Sequence, residues 1–142
     1  MKTIQTKVAI ISYNSIERIV YMKILDGAEI ELENAIQNQE AVKQLTNDEK
    51  HLLVVDARSI DVYVSKEARA FSAERKAADP CIAKAFIVNS TANRLIGNFY
   101  INFNKPNVPT KLFSSIEKAM ECLNSFLYLT ELQNIPRKRK CD

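Results

Sequence analysis

The sequence predicts one α/β domain with a mixed sheet, its elements in the order ββαβαβαβα. Three observations carry this. Short apolar, β-branched runs alternate with stretches whose apolar residues recur at helical spacing. Those stretches are long enough to act as crossovers, which sets the strands on either side of each one parallel. The chain of 142 residues is 46% hydrophobic and 26% charged, ordinary usage for one domain and too apolar for a disordered chain.

The elements follow in order. TKVAIISY and RIVYMKIL are strand-forming runs joined by the polar segment NSIE, an N-terminal hairpin. Asp26-Gly27 marks a turn. From Glu31 to Leu45 the residues Leu32, Ala35, Ile36, Val42 and Leu45 predict an amphipathic helix that covers one face of the sheet. TNDEK is a loop, and HLLVVDA is a continuous apolar run of the kind a buried parallel strand shows. Ser65 is placed to cap a helix running from Glu67 to Ala78, which Asp79-Pro80 ends. CIAKAFIVN is a second buried strand, and Ser90 or Thr91 caps a helix running through NRLIGNFYINF to Phe103. NKPNVPT is a loop because it carries two prolines, and TKLF is a short strand. Ser115 opens the last amphipathic helix, SIEKAMECLNSFLYLTEL. No second core separates from the first, so residues 1–135 are expected to form one domain and 136–142 a basic flexible tail.

Composition excludes several chemistries. With only Gly27 and Gly97, a glycine-rich phosphate loop or dinucleotide fingerprint cannot be built. One histidine, His51, and three scattered cysteines, Cys81, Cys122 and Cys141, are too few for a zinc cage or a histidine-based triad. Asp56 and Asp61 lack a nucleophile or metal partner. No catalytic centre and no cofactor are therefore expected. An odd number of cysteines without CxxC spacing, no run near the ~20 apolar residues of a membrane span, and a start, MKTIQTK, without a signal-peptide core predict a cytoplasmic protein with reduced thiols. The tail PRKRKCD, with four bases and one acid, accounts for the whole net charge of +3. That run reads either as a solvated terminus or as a tether to nucleic acid. A monomer or weak homodimer is expected, since no uninterrupted heptad demands more.

Particular phrases add a resemblance. ILDGAEIELENA, LLVVDARSI, SKEARAF, NRLIGNFYINFNKPNVPTKLF and IEKAMECL, spanning about residues 6 to 130, resemble the sulfate-transporter and anti-sigma-factor-antagonist (STAS) family, with its SpoIIAA-like fold. The likeness is greatest to a small group of bacterial proteins of unknown function within that fold. It implies a noncatalytic regulatory module that binds a partner protein, sometimes switched by phosphorylation of a serine at a helix start or by a small ligand. Related folds also include carriers that hold an apolar ligand or lipid between helix and sheet, and this stays open as the alternative. At the family's Asp-Ser-Ser-Gly regulatory motif this chain reads Tyr63-Val64-Ser65-Lys66, so Ser65 alone falls near the phosphoacceptor position, with Lys66 and Arg69 close by to pair a phosphate there. It is equally a plain N-cap.

The remaining candidates gather at one predicted edge. Ligands of open α/β sheets bind beyond the carboxyl ends of strands, where Asp56, Arg58, Ser65, Lys66, Asn89, Ser90 and Arg94 fall. Arg94, Asn98 and Asn102 lie at i, i+4 and i+8 and align on a helix, with Lys105 and Lys111 further along. Such a stripe suits an anion or a partner carboxylate. It is also what a solvated helix face with asparagine caps looks like.

Overall fold

Hydrophobic alternation organises the chain into one sheet with helices on both faces. The structure, a computed structural model, describes residues 2–74 and 79–131, with side chains described through 124. Six strands pair in the order β1 (Lys2–Gln5), β2 (Ala9–Asn14), β3 (Ile19–Ile24), β5 (His51–Asp56), β7 (Cys81–Ile87) and β8 (Thr110–Phe113). The first three are antiparallel neighbours, and β3, β5, β7 and β8 run parallel. Because the parallel strands are added in one direction, crossovers of one hand bring their helices to one face. That face carries α1 (Leu32–Thr46), α2 (Lys66–Ala73) and α3 (Thr91–Phe99), while α4 (Ile116–Glu131) packs on the other.

The strands sort their residues between these faces. Leu53 and Val55 join Ile11, Val20, Val42, Leu45 and Ala68 under the three helices. Leu52 and Val54 join Ile19, Ala83, Ala85, Ile87, Ala119 and Leu123 under α4. The expected mixed sheet and the N-terminal hairpin are therefore present, with four differences.

First, the strand expected from Thr6 begins only at Ala9. Thr6 Oγ1 accepts from the Ala9 amide at 3.1 Å, the chain reverses, and Lys2–Gln5 returns as an extra edge strand. Second, Glu29–Ile30 (β4) and Tyr63–Val64 (β6) form a short parallel ribbon beside the main sheet, with Ser65 N donating to Ile30 O at 2.9 Å. Third, α1 is rotated from the expected face. Asn34 and Asn38 are buried with Val42 and Leu45, whereas Leu32 and Ile36 are exposed. The asparagines are tolerated inside because they are bonded: Asn34 Oδ1 accepts from Glu31 N at 2.8 Å, and Asn38 Oδ1 accepts from Thr6 Oγ1 at 2.8 Å. Fourth, the helix expected to run to Phe103 is α-helical to Phe99 and continues as a π-helical turn, Tyr100–Asn104, ended by Lys105 in the left-handed region.

α2 ends at Ala73, short of the expected Ala78, because Glu74 is already extended; residues 75–78 lie outside the described residues, as does the basic tail at 136–142. Gly97 marks the closest approach of α3 to the sheet: a Cβ there would stand 2.8 Å from Leu112 Cδ2 of β8. Cys81 is a buried thiol whose Sγ donates to Ala83 O at 3.6 Å, but Cys122 is disulfide-bonded, which corrects the expectation of three reduced cysteines. No helix among the described residues is long and apolar enough to cross a membrane.

Candidate functional site

The predicted edge exists, but two of its charged residues, Asp56 and Arg58, satisfy one another. β5 ends at Asp56, and its carboxylate accepts from Arg58 Nε at 2.9 Å, from Arg58 Nη2 at 2.8 Å and from the Arg58 amide at 3.2 Å. This fork holds the Asp56 carboxyl below the usual aspartate range, against the opposing effect of its partial burial. Asp56 and Arg58 thus form a local clasp at the start of the loop. Asn93, not singled out from the sequence, ties the first turn of α3 to that loop by donating to Ala57 O at 3.0 Å.

The helix starts behave as capping chemistry requires. Ser65 is 4% exposed, and its Oγ accepts from Ala68 N at 3.0 Å. Ser90 Oγ accepts likewise from Asn93 N at 3.1 Å. Lys66, Asn89, Arg94 and Asn98 are exposed. The structure therefore brings the strand ends and helix starts to one edge, with Lys66 and Arg94 at the surface rather than at a shared centre.

A different feature lies beneath that edge. Between the sheet and the three helices is a cavity of about 390 Å³. Met22, Ile24, Leu53, Val55, Phe86 and Val88 form its floor, α1 contributes Ala35 and Val42, α2 contributes Ala68 and Phe71, and α3 contributes Ile96 and Gly97. Its walls come from β3, β5, β7 and all three crossover helices, so it is a product of the topology. Tyr63 and Ile96 line it while remaining 56% and 50% exposed, which places its mouth between β6 and α3.

Two cations meet this apolar space. Lys84 sits mid-strand in β7 and is only 2% exposed. Its ammonium donates to Ser72 O at 2.8 Å and to the Tyr100 hydroxyl at 3.1 Å, and it lies 5.6 Å from the Tyr100 ring centroid. Ser72 O belongs to the last turn of α2, where carbonyls have no intrahelical donor. Lys84 therefore caps the C-terminal end of α2 from the sheet, and Asn107 N does the same for Ala73 O at 3.1 Å. Tyr100 opens the π-helical turn and packs edge-on against Phe86, ring centroids 5.5 Å apart. The second cation, Arg69 on α2, lies nearer the mouth, with its guanidinium 5.4 Å from the centroid of the half-exposed Phe99.

Neither Lys84 nor Tyr100 was singled out from the sequence, and Arg69 was read only as a counter-charge for a phosphate on Ser65. The available signal was a lysine at the centre of the apolar run CIAKAFIV, a position that in a buried strand demands a dedicated set of acceptors.

Comparison with known proteins follows this geometry. The family described as Domain of unknown function (DUF7793) has a model that matches residues 13–127. The chain belongs to that family. Among solved structures, the DUF7793 chain is similar to an uncharacterized protein from the DUF3478 family with a SpoIIAA-like fold, from Shewanella loihica PV-4. The two share 11% identity over 84% of this chain and 88% of the other, with a TM-score of 0.50. That likeness concerns the fold alone, and it bears out the SpoIIAA-like architecture expected of this DUF7793 domain. No curated protein matches.

Proposed function

We propose that this domain is a noncatalytic binding module whose cavity holds an apolar small ligand between the sheet and the crossover helices. The cavity itself is the supporting observation. Protein interiors leave few voids larger than a water molecule, which occupies ~30 Å³ in the liquid. A space of about 390 Å³ walled mainly by aliphatic and aromatic side chains falls within the range of ordinary ligand sites, ~300–1,000 Å³. The carrier reading is thereby favoured over a regulatory switch at Ser65, whose hydroxyl is buried in a capping bond.

The experiment is titration with the neutral, apolar fluorophore N-phenyl-1-naphthylamine. Saturable enhancement with one site per chain is expected, and Ala35→Phe, which adds a ring from α1 into the cavity, is expected to weaken it at least tenfold while the far-ultraviolet spectrum is retained. Absence of saturable binding to the wild-type protein would remove the proposal.

A second reading, docking of a partner protein, is favoured by one further observation. Leu95, Phe99 and Phe103 are all substantially exposed along α3 and the π-helical turn, with the two phenylalanine rings stacked 4.9 Å apart. If this strip rather than the cavity is the functional surface, Phe103→Ser abolishes partner capture and leaves fluorophore binding intact.

A further inference from the structure

Arg69 offers more than its structural bonds use. Its Nη1 donates to Val64 O at 2.7 Å, which anchors the guanidinium at the start of α2 beside the β4–β6 ribbon. Its Nε is buried and meets no acceptor among the described residues. A buried, unmade hydrogen bond costs about 1–3 kcal/mol, more for a charged group, so its persistence calls for an explanation. Arg69 also lines the cavity, and its guanidinium lies 5.4 Å from the Phe99 ring centroid, near the mouth marked by Tyr63 and Ile96.

Nη1 and Nε lie on different edges of the guanidinium. With Nη1 held by Val64, the edge that remains is Nε with Nη2, two parallel donors spaced for the two oxygens of a carboxylate. Lys84 does not compete for this role: its ammonium is set deeper, on Ser72 and Tyr100. The cavity thus has an apolar body and one planar cationic fork towards its opening.

We propose that the ligand is a monocarboxylate on an apolar chain of medium length, its carboxylate entering on Nη2 of Arg69 and gripped side-on by Nε and Nη2 as the guanidinium turns to open Nε, which is closed to solvent in the unliganded domain, and its chain laid along Leu53, Val55 and Phe86. This rests on the cavity-binding reading and specifies which end of the ligand is recognised. No bond is made or broken; the carboxylate supplies the acceptor that Nε lacks.

The test compares three ten-carbon compounds that differ only in head group, decanoate, 1-decanol and decylamine, by displacement of N-phenyl-1-naphthylamine from wild-type protein at pH 7.5. The expected order is decanoate at least tenfold tighter than decanol, with decylamine weakest. Arg69→Met, which keeps an apolar stem and removes the fork, is expected to reduce the decanoate-to-decanol affinity ratio at least tenfold. Decanol binding without any preference for decanoate would overturn the carboxylate proposal and leave the cavity reading standing. Failure of all three compounds and of the fluorophore would overturn the cavity reading itself. The head-group order is read on wild-type protein, so it decides the matter even if the variant does not fold.

Discussion

Replacing Lys84 by methionine weighs the burial of a charge against the bonds that charge makes. The ammonium, 2% exposed, donates to Ser72 O and the Tyr100 hydroxyl, with Ser72 Oγ at 3.4 Å. Methionine fills similar space, abolishes the cost of desolvating the charge, and leaves the Ser72 carbonyl without that donor at the end of α2. The Tyr100 hydroxyl keeps Ser72 Oγ at 3.1 Å, so one acceptor rather than two loses its main partner. An unsatisfied buried carbonyl costs about 1–3 kcal/mol, and hydrogen bonds from a charged donor contribute about 1.5–3 kcal/mol. Relief of desolvation offsets part of this. The expected outcome for Lys84→Met is a loss of about 2 kcal/mol, or roughly 4–8 °C in Tm for a domain near this size. Tyr100→Phe removes only a hydroxyl and is expected to cost less, about 0.5–1.5 kcal/mol. Urea denaturation with an unchanged m-value is the assay. A Lys84→Met variant as stable as the wild type, or more so, would refute the reasoning, because it would mean that burying the ammonium costs more than its bonds return.

Other outcomes follow from the edge and its helix starts. Ser65→Ala should lose about 1 kcal/mol because Ala68 N loses its acceptor, while Ser65→Asp, which can cap but forces a charge into a position only 4% exposed, should lose more in the same urea assay. Asp56 has a folded-state pKa below its unfolded value, so its contribution is present above the ordinary aspartate pKa, ~3.9, and is lost as pH falls through the depressed value. The stability difference between wild type and Asp56→Asn, up to about 1 kcal/mol for a partly exposed pair, should therefore shrink as acid is added below about pH 4, as followed by thermal melts.

Much of this fold could be read locally. HLLVVD and CIAKAFI are apolar on both faces apart from His51, Asp56 and Lys84, because parallel strands are covered on both sides, and Ser65 and Ser90 sit where the capped helices begin. The edge strand Lys2–Gln5 escaped because its only apolar residue is Ile4, and its existence depends on pairing with β2. The face of α1 was misjudged because apolar spacing favoured Leu32 and Ile36, whereas Asn34 and Asn38 are taken inside by bonds to Glu31 and Thr6. The cavity had no local signature at all. It arises where three helices, each legible alone, stand off from alternate residues of three strands. Within SKEARAF, Arg69 reads only as a counter-charge for Ser65, and its place at the cavity appears once Val64 and Phe99 are set around it.

The central claim is that a ligand enters this cavity, and methyl-resolved NMR during titration with 1-decanol tests it most directly. Alternation along β5 supplies an internal control, since Leu53 and Val55 face the cavity while Leu52 and Val54 face α4. Saturable shifts are expected at Met22, Ile24, Leu53 and Val55, with Leu52, Val54 and Leu123 nearly unmoved. Shifts confined to Leu95 on the outer face of α3, or equal shifts on both sides of the sheet, would contradict the account.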